Sequence, residues 1–171
     1  MAYGPLTETA NITPYNCYGF AKDSLRRQLL FLQQEYAFNL TWARLFYLYG
    51  EGQHSTSIYP SIKTAVARGD ASFEMSHGEQ LRDYMPVTDV AGILVKLALA
   101  MQNFGTVNIC SGTPISMLRL VEKWKIEHDW KIALDLGKYP YPDYEPMAFW
   151  GDSAKMNSIL ASLGCLPSTE E

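Results

Sequence analysis

The feature that most constrains the fold is an almost continuously apolar run from Asn39 to Leu48 (NLTWARLFYL), rich in β-forming residues. A strand without polar alternation is typically buried on both faces, as in a parallel sheet. Parallel neighbours are joined by crossovers of a dozen or more residues, usually containing a helix. The run therefore predicts an α/β fold built on a parallel sheet.

Segments of helical and extended periodicity alternate around this run, which also indicates an α/β fold. The first predicted helix, from Tyr15 to Tyr36, has an apolar stripe that is wider than expected for a helix with one face in solvent. Later helices are predicted over residues 56–68 before Gly69, from Thr88 and from Ser116 as N-caps, and from Asp152 and Ser153 to Gly164. The helix after Thr88 has its predicted core face at Val90, Ala91, Ile93, Leu94, Leu97, Ala98 and Met101. Short strands are predicted over residues 71–75, 80–85, 106–109 and 131–136.

The sequence predicts too few strands to complete a parallel sheet around the apolar run. Only the run from Asn39 to Leu48 looks buried on both faces, and the candidate partner strands are short and late in the sequence. The broad apolar helix likewise has too little sheet to cover. We therefore expect the N-terminal part of a larger fold to be absent, and the uncovered sheet edge and helix to favour a homodimer or other self-association.

Composition excludes several classes of protein. With 171 residues, 47% of them hydrophobic, the chain can bury a real core and is not disordered. A net charge of −4 without a basic run argues against nucleic acid as a partner. The longest nearly apolar stretch, Val90 to Met101, is too short to span a bilayer and contains Lys96. Because no secretory signal opens the sequence, we expect a cytoplasmic protein with no membrane contact.

The cysteines do not form a recognisable framework. Cys17, Cys110 and Cys165 are far apart, odd in number, and without a C-x-x-C spacing or a nearby histidine pair. They are interpreted as free or buried thiols, and no metal site is predicted.

The first candidate for chemistry is the pair Tyr18 and Lys22, one helical turn apart and therefore on one face. A neighbouring ammonium stabilises a phenolate and so lowers the pKa of a tyrosine toward neutrality. The spacing alone is weak evidence, because Tyr59 and Lys63 repeat it. A solvated helix pair is the alternative interpretation for both.

Further motifs in a fixed order make the first pair more specific. They are Tyr3-Gly4, Glu8, Pro14, Tyr18, Lys22, Arg44-Leu-Phe-Tyr-Leu-Tyr-Gly50, Gly52-Gln53, Gly78-Glu-Gln-Leu-Arg-Asp-Tyr84, Val87-Thr-Asp-Val-Ala91, Asn108-Ile-Cys-Ser-Gly112, Ile115-Ser116, Asp152-Ser-Ala-Lys155 and Leu163-Gly164. Taken together, these motifs resemble the extended short-chain dehydrogenase/reductase family, the NAD-dependent epimerases and dehydratases of sugar nucleotides.

The resemblance implies a role for each matching residue. Tyr18 would exchange a proton with the sugar while hydride moves to or from the nicotinamide of NAD or NADP, and Lys22 would hold the nicotinamide ribose. The strand end at Phe46, Tyr47 and Leu48 would face the nicotinamide, with Tyr47 also near the substrate. Arg82 would pair with the diphosphate of the nucleotide-sugar, where the alternative is a surface ion pair with Asp83 or Glu79.

The sequence also departs from the family pattern. Tyr47 replaces an asparagine, as in some 4-keto-6-deoxysugar reductases of the family, and Glu145-Pro146 stands where many members have Arg-Pro. The Gly-rich phosphate loop does not occur, and the third catalytic residue, a serine or threonine, would fall before Met1.

The resemblance implies the C-terminal part of a Rossmann-like doubly wound fold plus a small α/β substrate-binding lobe, without the N-terminal Gly-rich nucleotide-binding half. Residues 1–50 would form the remaining edge of the dinucleotide-binding sheet with the Tyr/Lys helix, and residues 51–171 mainly the substrate lobe. We expect a fragment of a sugar-nucleotide epimerase, dehydratase or 4-keto reductase that is inactive alone. The alternative is a catalytically silent truncated relative that binds a nucleotide-sugar or a partner chain.

Overall fold

The computed structural model describes residues 4–11, 13–141 and 146–164. Its helices are α1 (Cys17–Glu35), α2 (Ile58–Arg68), α3 (Val87–Leu99), α4 (Met117–Glu127) and α5 (Ala154–Ser162). Its strands are β1 (Gly4–Leu6), β2 (Thr41–Leu45), β3 (Tyr47–Tyr49), β4 (Ser72–Glu74), β5 (Leu81–Arg82), β6 (Tyr84–Pro86), β7 (Gly105–Ile109), β8 (Ile115–Ser116), β9 (Ala133–Asp135) and β10 (Phe149–Gly151). Tyr3, Glu145 and Cys165, which were named above, lie outside the described residues.

The described strands form five two-stranded ribbons, of which four are parallel, and this confirms the predicted α/β class. β2 pairs with β7 from Thr41 opposite Gly105 to Leu45 opposite Ile109. β3 pairs with β6, β4 with β9, and β1 with β10, all in parallel. Only the short pair of β5 and β8 is antiparallel among the described strands.

The long predicted strand is divided at Phe46 into β2 and β3. The Phe46 N–H donates to the carbonyl of Ile109, whereas the next N–H, of Tyr47, donates to the carbonyl of Asp83. The chain therefore changes partner strand at this point. The prediction of burial on both faces is wrong for β2, whose residues are half-buried or, at Leu45, 45% exposed. The reason is that β2 has one neighbouring strand, β7, in the described part of the chain.

Two hydrophobic clusters form the core, and each is assembled from distant segments. The first packs α2 and α4 around the fully buried Trp124, and the second packs α3 and α5 against β7. The buried members are Tyr59, Ile62, Ala65, Met75, Leu120, Val121, Trp124 and Ile132 in the first cluster, and Val90, Leu97, Val107, Ile109, Met156, Ile159 and Leu160 in the second.

The division of the chain at residue 50 into a sheet edge and a substrate lobe stays a prediction.

Two helix ends show the capping chemistry predicted from the sequence. The Ser116 Oγ accepts from the N–H of Arg119 at the start of α4, and Gly69 ends α2 in the left-handed region at φ +77°. The predicted N-cap at Thr88 is wrong, because α3 already begins at Val87 and follows Pro86. The fixed φ of proline, here −58°, is close to the helical value and lets the helix start two residues earlier.

The predicted apolar faces are only partly covered. In α3, Val90 and Leu97 are buried, but Ala91, Ala98 and Met101 are exposed, so the predicted core face is too wide. In α1 the only buried residue is Asp23, although this helix carries the broad apolar stripe. No helix of the described residues combines the length and apolar character needed to cross a membrane.

Candidate active site

Tyr18 and Lys22 lie together on the first turns of α1. The Asn16 side chain caps this helix by accepting from the N–H of Gly19 at 2.7 Å. The Lys22 Nζ lies 5.6 Å from the centroid of the Tyr18 ring, whose residue is 72% exposed. Within the described ranges the Lys22 ammonium has no hydrogen-bonded or ionic partner, so this cation–π contact leaves its donors open to a ligand.

A cleft of about 300 Å³ opens beside Lys22, between α1 and β2. The Asp23 carboxylate accepts from Arg26 Nε and Nη2 at 2.9 and 2.7 Å, and from Arg27 Nε at 2.7 Å. The Arg26 guanidinium, helped by Arg27, holds the pKa of this carboxyl below its usual range despite its burial. The cleft is lined by Leu6, Ala10, Asn11, Gly19, Lys22, Asp23, Arg26, Trp42 and Arg44.

Arg44 forms the opposite wall of this cleft. Its Nη1 lies 3.3 Å from the carbonyl oxygen of Thr7 and 3.5 Å from the Oδ1 of Asn108. Burial, and then the nearby charge of Arg26, lowers the pKa of Arg44 from its ordinary value. Lys22, Arg26 and Arg44 outnumber the single carboxylate of the lining, so the cleft favours electron-rich ligand groups.

The second Tyr/Lys pair has a different environment. Tyr59 is a core residue, and its hydroxyl lies 3.3 Å from the Nε2 of His128. Lys63 forms an ion pair with Glu51 at the surface. The interpretation as a solvated pair is therefore wrong for Tyr59, and of the two pairs only the first presents an exposed phenol.

Tyr47 and Arg82 form the second group of predicted site residues. The Tyr47 ring lies 5.3 Å from that of Tyr84 and 5.9 Å from that of Phe149, between ring centroids. The Arg82 Cζ is 4.5 Å from the Phe149 centroid and 5.8 Å from the Tyr47 centroid. Because Arg82 is only 2% exposed, the alternative of a surface ion pair is wrong.

The β1–β10 ribbon links the two groups. Leu6, at the end of β1, lines the Lys22 cleft and lies opposite Gly151 of β10. Two residues earlier in β10, Phe149 packs against Arg82 and Tyr47. Phe46 and Leu48 flank Tyr47, after the end of β2 and in β3. The short parallel pairs β1–β10 and β3–β6 therefore connect this strand end, the Lys22 cleft and Arg82.

Three residues of this region were not predicted as site residues. Phe149 contacts Arg82, Asn108 is fully buried and donates from Nδ2 to the carbonyl of Leu6 at 2.8 Å, and Asp83 is fully buried. Asp83 and Asn108 occur in the quoted motifs, which was the available signal. Phe149 stands in no motif, and nothing local in the sequence pointed to it.

The matching family model is that of the NAD dependent epimerase/dehydratase family, over residues 2–110. The dTDP-6-deoxy-L-talose 4-dehydrogenase (NAD(+)) of Aggregatibacter actinomycetemcomitans is 31% identical over 149 residues, which are 86% of this chain and 55% of that protein. The chain therefore belongs to the NAD dependent epimerase/dehydratase family, and the resemblance to extended short-chain dehydrogenases/reductases is confirmed.

Solved structures give the same fold. The UDP-N-acetylglucosamine 4-epimerase from Methanobrevibacter ruminantium M1, in complex with UDP-N-acetylmuramic acid, has a TM-score of 0.81 at 23% identity, over 97% of this chain and 53% of that one. RMD from Pseudomonas aeruginosa, complexed with NADPH, also has a TM-score of 0.81, at 19% identity, over 97% and 56%. The Rossmann-like fold class is confirmed, and the chain spans about half the length of these relatives.

Proposed function

We propose that the chain is the C-terminal portion of an NAD(P)-dependent enzyme that oxidises or reduces a sugar carbon of a nucleotide-sugar. The observation that carries this proposal is the Tyr18–Lys22 pair, in which an ammonium without an ionic partner among the described residues lies 5.6 Å from an exposed phenol ring beside an open cleft. Such a pair suits proton exchange with a hydroxyl or carbonyl group.

The residues of the cleft fit one end of a dinucleotide cofactor. When bound, NAD or NADP accepts or supplies the hydride. The Lys22 ammonium can donate to ribose hydroxyls, since in the described residues it has no competing hydrogen-bond acceptor. Phe46, Tyr47 and Leu48 come at the carboxyl end of a parallel strand, which is where ligands of open α/β sheets bind.

The proton balance assigns a single task to Tyr18. In the oxidising direction its phenolate takes the proton of the sugar hydroxyl. At the same time a hydride leaves the carbon that bears this hydroxyl, and that carbon becomes a carbonyl. In the reducing direction the phenol returns that proton to the carbonyl oxygen. The Lys22 Nζ lies 5.6 Å from the centroid of this ring, and exposure of the ring gives substrate access to the hydroxyl.

Arg82 is proposed to bind the diphosphate of the substrate, since a guanidinium matches two phosphate oxygens at once. Its Cζ lies over the rings of Phe149 and Tyr47, and its Nη1 donates to the carbonyl oxygens of Leu81 at 2.9 Å and Met147 at 3.3 Å, so the guanidinium is held in place. Tyr47 in place of the family asparagine removes an amide from the substrate side and favours 4-keto-6-deoxysugar reductase chemistry. The name of the talose dehydrogenase relative, which acts at C4 of a 6-deoxy sugar, supports this preference.

The proposal is tested on the protein encoded by the complete reading frame around Met1. We expect NAD(P)H-dependent reduction of a dTDP-4-keto-6-deoxyhexose, followed by absorbance at 340 nm, and a fall in kcat of about 10²–10⁴-fold in Tyr18→Phe with cofactor binding retained. The matched control is Tyr36→Phe, at the other end of α1, which should keep full activity. Equal turnover of wild type and Tyr18→Phe would remove Tyr18 from the mechanism.

The alternative is a silent relative that binds a nucleotide-sugar or a partner chain. It is distinguished by the DNA upstream of Met1, where the enzyme requires a Gly-rich strand-turn-helix. A stop codon between such a segment and Met1 would favour the alternative.

A further inference from the structure

Asp83 lies at the centre of a hydrogen-bond network, the Asp83 node, which adjoins Arg82 and Tyr47. Its carboxylate is fully buried and accepts four hydrogen bonds. Oδ1 accepts from the N–H and the Oγ of Ser111 at 2.7 and 2.8 Å, and Oδ2 accepts from the N–H of Gly112 at 2.9 Å and of Gly151 at 3.4 Å. A carboxylate removed from water requires such partners, so these contacts hold the loop after β7 and the end of β10 to one residue.

The backbone around this node is shaped for close approach. Gly112 has φ +76°, and a Cβ at this position would lie 2.4 Å from the Oγ of Ser153. Only a glycine therefore allows the N–H of residue 112 to reach the Asp83 carboxylate here. The node is a built feature of the fold and not an incidental surface contact.

The node connects directly to the groups around the Arg82 guanidinium. The carbonyl oxygen of Asp83 accepts from the N–H of Tyr47 at 3.1 Å. Gly151, which donates to the carboxylate, is two residues from Phe149 on β10. The backbone of Tyr47 is thus bonded to Asp83 directly, and the strand that carries Phe149 is bonded to it through Gly151. Both rings contact Arg82, which precedes Asp83 in the chain.

Building on the function proposed above, we propose that Asp83 is a positioning residue for the nucleoside-diphosphate part of the substrate. It fixes Tyr47, Phe149 and Arg82 relative to one another and does not itself contact the ligand. The side chains of a binding site must be held within about 0.5 Å of their productive positions, and the residues that support them determine whether this is achieved. Loss of the carboxylate is therefore expected to act through Arg82.

A double-mutant cycle tests this coupling. Binding of dTDP is measured by calorimetry for the wild type, Asp83→Asn, Arg82→Lys and the double variant. We expect Asp83→Asn to raise the Kd at least tenfold, and the double variant to bind within twofold of Arg82→Lys alone. The control is Asp135→Asn, at the end of β9, whose carboxylate pairs with Lys138; this variant should leave the Kd unchanged. Independent, multiplying effects of the two substitutions would overturn the positioning role.

A second readout separates this proposal from the proposed function. If the wild type does not bind dTDP, the diphosphate role of Arg82 fails, and the NMR resonance of the Arg82 Nε–H then decides on Asp83. A shifted or broadened resonance in Asp83→Asn but not in Asp135→Asn supports positioning, and an unchanged one overturns it. Should Asp83→Asn not fold, Ser111→Ala removes one donor of four and should change the same resonance in the same way. An unchanged resonance in Ser111→Ala would also overturn the proposal.

Discussion

Gly151 lies so close to Cys110 that a Cβ built on the glycine would sit 2.4 Å from the cysteine Sγ. Both residues are buried, and the Phe46 ring closes the same space at 2.8 Å. Gly151→Ala must displace these neighbours, and overpacking of this kind costs about 1–3 kcal/mol. We expect thermal unfolding to show a Tm lowered by several degrees.

Gly92 is the matched control for this substitution. It lies exposed within α3, and a Cβ there would meet nothing within 4 Å. Gly92→Ala is expected to stabilise the protein by about 0.5–1 kcal/mol, because alanine favours the helix. The two changes should therefore shift the Tm in opposite directions, and a destabilising Gly92→Ala would contradict the packing described for α3.

The Asp23 carboxylate predicts a pH-dependent contribution to stability. Since the Arg26 guanidinium lowers its pKa below 3.8, the charged carboxylate stabilises the folded state above that pH. This contribution is lost as the pH falls through the lower folded-state pKa. Asp23→Asn should reduce the free energy of unfolding by about 1 kcal/mol at pH 7, with a difference that shrinks toward zero in acid.

Urea unfolding at pH 7 and at about pH 3 measures this difference. Asp70→Asn, which removes a surface ion pair with Arg68, is the control and should change stability by less than about 0.5 kcal/mol. A difference between wild type and Asp23→Asn that grows as the pH falls would contradict the assigned ion pair.

The two described cysteines should differ in reactivity. Burial, followed by the charge of Asp83, raises the pKa of Cys110 to about 12, whereas Cys17 is exposed at the start of α1. At pH 8 the Cys110 thiolate is about a ten-thousandth of the total, so alkylation should modify Cys17 and spare Cys110 until the protein is unfolded. Peptide mapping by mass spectrometry identifies the modified residue. Equal labelling of both thiols in the folded protein would disprove the burial of Cys110.

The 171-residue chain alone should not bind NAD measurably. Dinucleotide affinity depends on backbone N–H groups of a Gly-rich loop at a helix N-terminus, and this sequence contains no such loop. Calorimetry is expected to give no saturable heat with NAD, and micromolar binding would contradict this expectation.

The uncovered face of α1 should drive self-association of the chain. Phe31 is 68% exposed, and together with Leu25, Leu29 and Leu32 it lines an open apolar groove on this helix. We expect size-exclusion chromatography to give a mass above that of the monomer, and Phe31→Ser to restore the monomer. Ile126→Ser, on the exposed face of α4, is the control and should not change the elution. A wild type that remains monomeric at all concentrations would refute the expectation.

Local features of the sequence predicted the parts of the fold that depend on neighbouring residues. The Ser116 cap, the Gly69 stop and the common face of Tyr18 and Lys22 each involve residues within one helical turn. Their geometry follows from the helical repeat, whatever packs around them.

Contacts between distant residues could not be predicted in the same way. The stacking of Phe149 on Arg82 and the bond from Gly151 to Asp83 join residues more than sixty positions apart. No periodicity encodes such a contact, because it depends on where β10 meets β1 and β5. The partner change at Phe46 was missed for the same reason, since the apolar run continues across it.

The pairing of β1 with β10 brings Gly4 opposite Phe149, at opposite ends of the described sequence. During synthesis on the ribosome, the first of these strands emerges long before its partner has been translated. The Arg82 environment can therefore mature only late in translation, and the early segment must wait unpaired in the meantime.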